Sequence, residues 1–174
     1  MSEQTRVLLV DAETLLRQCL TAQLNRRRGI RVIAEAATGE QAITETRALL
    51  PDVVVVDPEV PQGGARLVSD LCHTLPNCAV LVLTSSGHKD ARNALRAGAH
   101  GYLNKDCRLE DLVQAIERVH VGELVVAPDV TDIVLRALHS ETPRSPGPSG
   151  MTARETEVLQ RIVEGCTNPE IARS

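Results

Sequence analysis

Several short apolar runs in this sequence lead into a residue that can do chemistry. Val7-Leu-Leu-Val runs into Asp11, Val53-Val-Val-Val into Asp57, Ala79-Val-Leu-Val-Leu into Thr84, and Gly101-Tyr-Leu-Asn into Lys105. A single aspartate at such a position is more often a loop cap than a catalyst. Two carboxylates, a hydroxyl and an ammonium at matching positions form a complementary set. A carboxylate such as Asp57 can attack phosphorus and become an acyl phosphate. A second one, Asp11, would help to hold Mg2+, which takes oxygen ligands and screens the incoming charge. Thr84 can donate its hydroxyl to one phosphoryl oxygen, and Lys105 can pair its ammonium with another.

The elements that must bring these residues together are parallel strands. Strands are predicted at residues 6–10, 31–36, 53–57, 79–84 and 101–104. Their Val, Leu, Ile and Ala are nearly continuous rather than alternating, which suits strands covered on both faces. Helical periodicity falls between them at residues 14–27, 40–50, 66–74 and 89–97, with a fifth helix at 109–120. Strand and helix in strict alternation predict an α/β fold, a doubly wound five-stranded parallel sheet. In such a sheet, ligands sit outside the carboxyl ends of the strands, where Asp11, Asp57, Thr84 and Lys105 lie.

Composition narrows the function classes. The chain has one tyrosine and no phenylalanine or tryptophan, so it offers almost no stacking platform for sugars or single-stranded nucleic acid. Net charge is −4, and the densest cationic cluster, Arg26, Arg27 and Arg28, falls where a helix is predicted to end. Five cysteines (Cys19, Cys72, Cys78, Cys107, Cys166) are odd in number and form no CxxC pair. They are expected as reduced, mostly buried thiols. No apolar run is long enough for a signal peptide or a membrane span, which predicts a soluble, cytoplasmic protein without membrane contact.

The motifs Val7-Leu-Leu-Val-Asp11, Pro51-Asp-Val-Val-Val-Val-Asp57, Val80-Leu-Val-Leu-Thr84 and Gly98-Ala-His-Gly-Tyr-Leu-Asn-Lys105 resemble the signature of two-component response-regulator receivers. Their spacing is similar to that of the NarL/FixJ subfamily, and Met151-Thr-Ala-Arg-Glu-Thr-Glu-Val-Leu resembles the start of its LuxR-type helix-turn-helix. The resemblance implies a flavodoxin-like receiver phosphorylated on Asp57 by a sensor histidine kinase, acting as a switch rather than an enzyme. It implies that Lys105 and Thr84 couple the phosphoryl group to the rest of the domain, and that Tyr102 is the aromatic turning inward with Thr84. It further implies a homodimer, and transcriptional control through DNA in the full-length form. Asp11, Asp57 and the backbone carbonyl of Glu59 would be the Mg2+ ligands.

Two positions depart from that pattern. Receivers carry two adjacent acids after the first strand, whereas here Asp11 is followed by Ala12, with Glu13 one residue further on. The family's Met-Pro-Gly loop reads Val60-Pro61-Gln62. Losing a carboxylate should weaken Mg2+ binding, with Glu13 or Glu59 reaching the ion through water. Two readings stay open: a phosphoacceptor with an impaired metal site, or a pseudo-receiver that switches by ligand binding or dimerisation. A phosphatase with an aspartyl-phosphate intermediate is less favoured, because Glu59 has the right spacing but no cap domain accompanies it. A dinucleotide-binding domain fails, because Asp11-Ala-Glu-Thr replaces the glycine-rich turn.

Domain boundaries follow from composition. Residues 1–124 form the receiver, and residues 125–150 a further helix at about 129–139 with a Pro/Gly-rich linker. Residues 151–174 begin a helix-turn-helix with two capping boxes, Thr152 to Glu155 and Thr167 to Glu170. A recognition helix would follow Ser174, and residues 151–174 carry a net charge of −1, so this stretch alone is not expected to bind DNA.

Overall fold

The computed structural model describes residues 4–86 and 91–126. Its strands are β1 (Thr5–Val10), β2 (Ile30–Ala36), β3 (Val53–Val56), β4 (Ala79–Thr84), β5 (Gly101–Asn104) and β6 (Val125–Val126). All pair in parallel, in the order β2-β1-β3-β4-β5-β6. The helices are α1 (Thr14–Leu24), α2 (Gly39–Leu49), α3 (Gly64–Thr74), α4 (Ala91–Arg96) and α5 (Leu109–His120). The doubly wound parallel sheet is as expected, with one correction to the strand number. A sixth strand, two residues long, pairs Val125 and Val126 with Gly101 and Tyr102, just beyond the expected domain end at residue 124. Two residues carry no periodicity, so pattern alone cannot announce such a strand.

Alternation along the strands divides the core in two. Leu8, Val10, Val54, Val56, Val80, Val82 and Tyr102 face α2, α3 and α4, meeting Ala42, Leu67, Leu71 and Ala94. Val7, Leu9, Val53, Val55, Leu81 and Leu103 face α1 and α5, meeting Leu24, Leu112 and Ile116. Every residue of β3 and β4 is buried, which is why those strands read as unbroken apolar runs. Each such side chain contributes roughly 1.5–3 kcal/mol of burial.

Local chemistry sets the helix ends. Thr38 caps α2 by accepting from the Gln41 backbone N–H at 3.2 Å, while the Gln41 side chain accepts from Ala37 N–H at 2.9 Å. That helix closes on Leu50 in the left-handed region (φ 49°), ahead of Pro51. The Arg6 guanidinium donates to the carbonyls of Leu49 and Leu50 at 2.7 and 2.8 Å, where the helix dipole favours a cation. The end of α1 is earlier than expected, at Leu24, with Asn25 as its cap. Arg26–28 lie just outside it, and Arg27 reaches Glu110 on α5 at 2.9 Å.

The thiols are free but less buried than expected. Cys78 is buried, Cys72 and Cys107 are half-buried, and Cys19 is exposed on the outer side of α1. Burial pushes the Cys72 thiol up to about 11 and the Cys78 thiol up to about 12, which keeps both protonated. The expected helix at 129–139, the linker, the segment 151–174 and Cys166 lie outside the described residues. No helix of the described residues is long and apolar enough to cross a membrane.

Two predictions follow from backbone constraints. A Cβ on Gly39 would lie 2.1 Å from the Gln62 carbonyl oxygen, in the loop that leaves Asp57. Gly39→Ala is therefore expected to lower unfolding free energy by about 2 kcal/mol or more in a urea titration. At the opposite edge, the Val80 N–H donates to His100 Nδ1 at 3.1 Å, and the His100 N–H returns a bond to the Val80 carbonyl at 2.8 Å. Burial lowers the His100 pKa from 6.5, so the folded state binds the proton less well than the unfolded chain. The stability this neutral imidazole contributes is full above about pH 6.5 and declines as pH falls below it. Between about pH 8 and about pH 5, His100→Gln is expected to lose less stability than the wild type in the same titrations.

Candidate functional site

Strand order creates the site. The chain crosses from β1 to β2 on one side and to β3 on the other, so the loops after β1 and β3 diverge and leave a crevice between them. Backbone hydrogen bonds carry the sheet one residue past each strand end. The Asp11 N–H donates to the Ala36 carbonyl at 3.0 Å, and the Asp57 N–H to the Val10 carbonyl at 2.9 Å. At the next strands the Lys105 N–H donates to the Thr84 carbonyl at 2.9 Å. The four residues singled out from the sequence therefore share one sheet edge.

Three of them meet directly. Lys105 Nζ lies 2.7 Å from Asp57 Oδ2, 2.8 Å from Asp11 Oδ2 and 3.1 Å from Glu13 Oε1. Asp11 and Asp57 are 2 % and 6 % exposed, and such carboxylates are costly to bury without a partner cation. Burial by itself would lower the Lys105 pKa. The hydrogen bonds to Asp11, Asp57 and Glu13 outweigh it and hold the ammonium above the usual lysine range. One ammonium against three carboxylates leaves a formal surplus of two negative charges.

The second oxygens of both aspartates are fixed by their own loops. Asp11 Oδ1 accepts from the Glu13 N–H at 2.7 Å, and Asp57 Oδ1 from the Glu59 N–H at 2.9 Å. These turns leave each Oδ2 facing the crevice. The loop beyond Asp57 needs tight backbone: a Cβ on Gly63 would sit 2.2 Å from the Pro58 carbonyl oxygen. Gln62 takes a positive φ of 55°, the region that favours glycine, so the Gly-to-Gln departure noted above leaves a turn of that shape in place.

Thr84 is fully buried, and its hydroxyl oxygen accepts from the Ser86 N–H at 3.2 Å. Tyr102, one strand away and opposite Val82, is also fully buried and packs with Val82, Ala91 and Ala94. Its ring is fully enclosed rather than half-buried. Glu59 is exposed, and its carboxylate accepts from the Ser86 hydroxyl rather than joining Lys105. Glu13 holds the lysine but is itself 66 % exposed, so this third ion pair is worth at most about 1 kcal/mol.

The donor set can be weighed against a hard divalent cation. Asp11 Oδ2 and Asp57 Oδ2 both touch one ammonium, so two carboxylate oxygens converge where a cation is already preferred. Their chemistry fits Mg2+. Ligand count is the weak point, because Ala12 offers no side-chain oxygen, the Glu59 carboxylate is held by Ser86 and one oxygen of Glu13 is on Lys105. Among the described residues, no group of three or more His, Cys, Asp or Glu is arranged to hold a metal.

Sequence reasoning overlooked Arg17, which donates through Nη1 to the Asp11 carbonyl, and Ser86. A hint for Arg17 was its place one turn into α1, where the helix dipole favours acids over cations. Nothing in the sequence pointed to Ser86.

Comparison with known proteins bears on the family and the fold. The family model for the response regulator receiver domain matches residues 7–117. The chain is 32 % identical to the nitrate/nitrite response regulator protein NarL of Escherichia coli over 176 residues, covering 98 % of this chain and 81 % of that protein. It is 31 % identical to the DNA-binding transcriptional activator DevR/DosR of Mycobacterium tuberculosis over 169 residues, 96 % of this chain and 78 % of that protein. Among solved structures, a LuxR-family two-component response regulator from Aurantimonas superposes with a TM-score of 0.72 at 31 % identity, over 79 % of this chain and 99 % of that one. With the doubly wound sheet, the switch-point crevice and these similarities in hand, the chain belongs to the response-regulator family and carries its receiver domain.

Proposed function

We propose that Asp57 is the phosphoacceptor of this response regulator, with Lys105 and Thr84 as the groups that receive the phosphoryl oxygens. The observation that carries this reading is the contact of Lys105 Nζ with Asp57 Oδ2 at 2.7 Å inside a buried carboxylate pair. An oxygen of Asp57 attacks phosphorus, the bond from phosphorus to the donor breaks, and the donor leaves with the electron pair. Asp57 then carries an acyl phosphate instead of a carboxylate charge. Lys105 turns its ammonium to a phosphoryl oxygen, a charge-assisted bond in a site screened from water. The Thr84 hydroxyl donates to a second oxygen, and Tyr102, buried on the neighbouring strand opposite Val82, is the side chain that registers the change.

Mg2+ would be held by the carboxylates of Asp11 and Asp57 and the backbone carbonyl of Glu59, and would supply charge neutralisation for the incoming phosphoryl group. Glu13 would reach such an ion through water, with one carboxylate oxygen on Lys105. The donor fitting this account is the phosphohistidine of a sensor kinase. By analogy with the DNA-binding transcriptional activator DevR/DosR, the output would be transcriptional control through DNA, and the family resemblance adds a homodimer. Residues 1–124 would be the receiver, 125–150 its connection and 151–174 the start of the DNA-binding domain.

The direct test is intact mass after incubation with Mg2+ and a small phosphodonor. The wild type should gain one phosphoryl group and Asp57→Asn none. No gain on a folded wild type would turn the assignment to a switch that works without phosphate. Restoring the missing acid tests the metal site: Ala12→Asp should lower the Mg2+ concentration for half-saturation by about tenfold, as followed by calorimetry.

A further inference from the structure

We propose that Arg17 is a positioning residue for the phosphoacceptor site, fixing the Asp11 loop from the second turn of α1. This rests on the phosphoacceptor reading above and adds a residue which that reading does not use.

The argument begins with a carbonyl. Asp11 is 2 % exposed and lies one residue beyond β1. Its N–H is taken by Ala36, and a buried carbonyl past the strand end also needs a donor. Arg17 supplies it through Nη1, while its own backbone N–H donates to the Glu13 carbonyl at 2.9 Å. Residues 11–13 are thereby bracketed by one amino acid. Between the brackets, the Glu13 N–H fixes Asp11 Oδ1, which turns Asp11 Oδ2 towards Lys105.

The guanidinium is anchored in turn. Arg17 Nε lies 3.1 Å from Glu35 Oε2 on β2, and the arginine side chain is only 12 % exposed. Glu35 is on this face because of an irregularity in the edge strand. The β1–β2 register shifts between Val7 and Leu8, skipping Ile33, so that Glu35 pairs with Leu9. Leu9 faces α1 and α5, and paired residues of parallel strands share a face. Without the shift, Glu35 would pair with Val10 and face away from α1. The irregularity therefore aims a carboxylate at Arg17, a use to which such bulges are suited. A planar guanidinium can bridge a carbonyl and a carboxylate at once, which a lysine ammonium does poorly.

The test uses the full chain and two readouts that a purely structural role would not move. One is the amide proton of Glu13 in metal-free protein, whose chemical shift reports its bond to Asp11. The other is the Mg2+ concentration for half-saturation. Arg17→Gln is expected to move the Glu13 amide upfield and to raise the half-saturation about tenfold or more, as loss of outer partners of a metal site does. Arg17→Lys should fall between that variant and the wild type. Should Arg17→Gln fail to fold, Glu35→Gln keeps the arginine and should shift both readouts the same way by less. A lower unfolding midpoint with both readouts at wild-type values would overturn the proposal. If wild-type Asp57 accepts no phosphoryl group while the Glu13 amide still responds, the positioning role stands and the phosphoacceptor reading fails.

Discussion

Lys105 brings a single ammonium within 3.1 Å of three carboxylates, and the organisation of the sheet edge depends on that contact. Asp11 and Asp57 are nearly removed from water, where an uncompensated carboxylate costs several kcal/mol. The lysine supplies that compensation by touching both, Asp57 Oδ2 at 2.7 Å and Asp11 Oδ2 at 2.8 Å. It leaves the group of charges negative, which favours the approach of a further cation. The same ammonium is a donor in direct contact with Asp57 Oδ2, at 2.7 Å.

This arrangement is possible because the fold provides an edge that polar residues can share without disturbing the core. Leu8, Val10, Val54 and Val56 pack on one side of the sheet, and Val7, Leu9, Val53 and Val55 on the other. Only beyond the last paired residue does the chain leave this apolar sandwich. At β1 and β3 it leaves in opposite directions, so the crevice follows from strand order rather than from any special loop. The loops then need tight backbone, met by Gly39 against the Gln62 carbonyl and by Gly63 against the Pro58 carbonyl.

Much of this was legible in the sequence. Fully buried parallel strands must be continuously apolar, so β3 to β5 could be located from composition, and the residues that close them were visible as interruptions. Tyr102 could be assigned to a strand, but its complete burial depends on α4 packing over it. Other features depended on contacts distant in the chain. Glu35 faces α1 because of a one-residue shift in pairing, and the Arg17 contact it supports spans 18 residues. The carboxylate of Glu13 lies on Lys105, 92 residues further along the chain, a contact no local pattern announces. The two-residue β6 is a consequence of α5 returning the chain to the sheet edge, and no local pattern encodes it.

The chain contains two lysines, Lys89 and Lys105, which makes one measurement unusually direct. Nitrogen NMR of the lysine ammonium groups should show a slowly exchanging Lys105 resonance in metal-free protein, absent from Lys105→Arg. On addition of Mg2+ and a small phosphodonor, that resonance should shift in the wild type and stay in place in Asp57→Asn. A Lys105 ammonium that exchanges as fast as an exposed one, or that is unchanged when Asp57 is phosphorylated, would contradict the account.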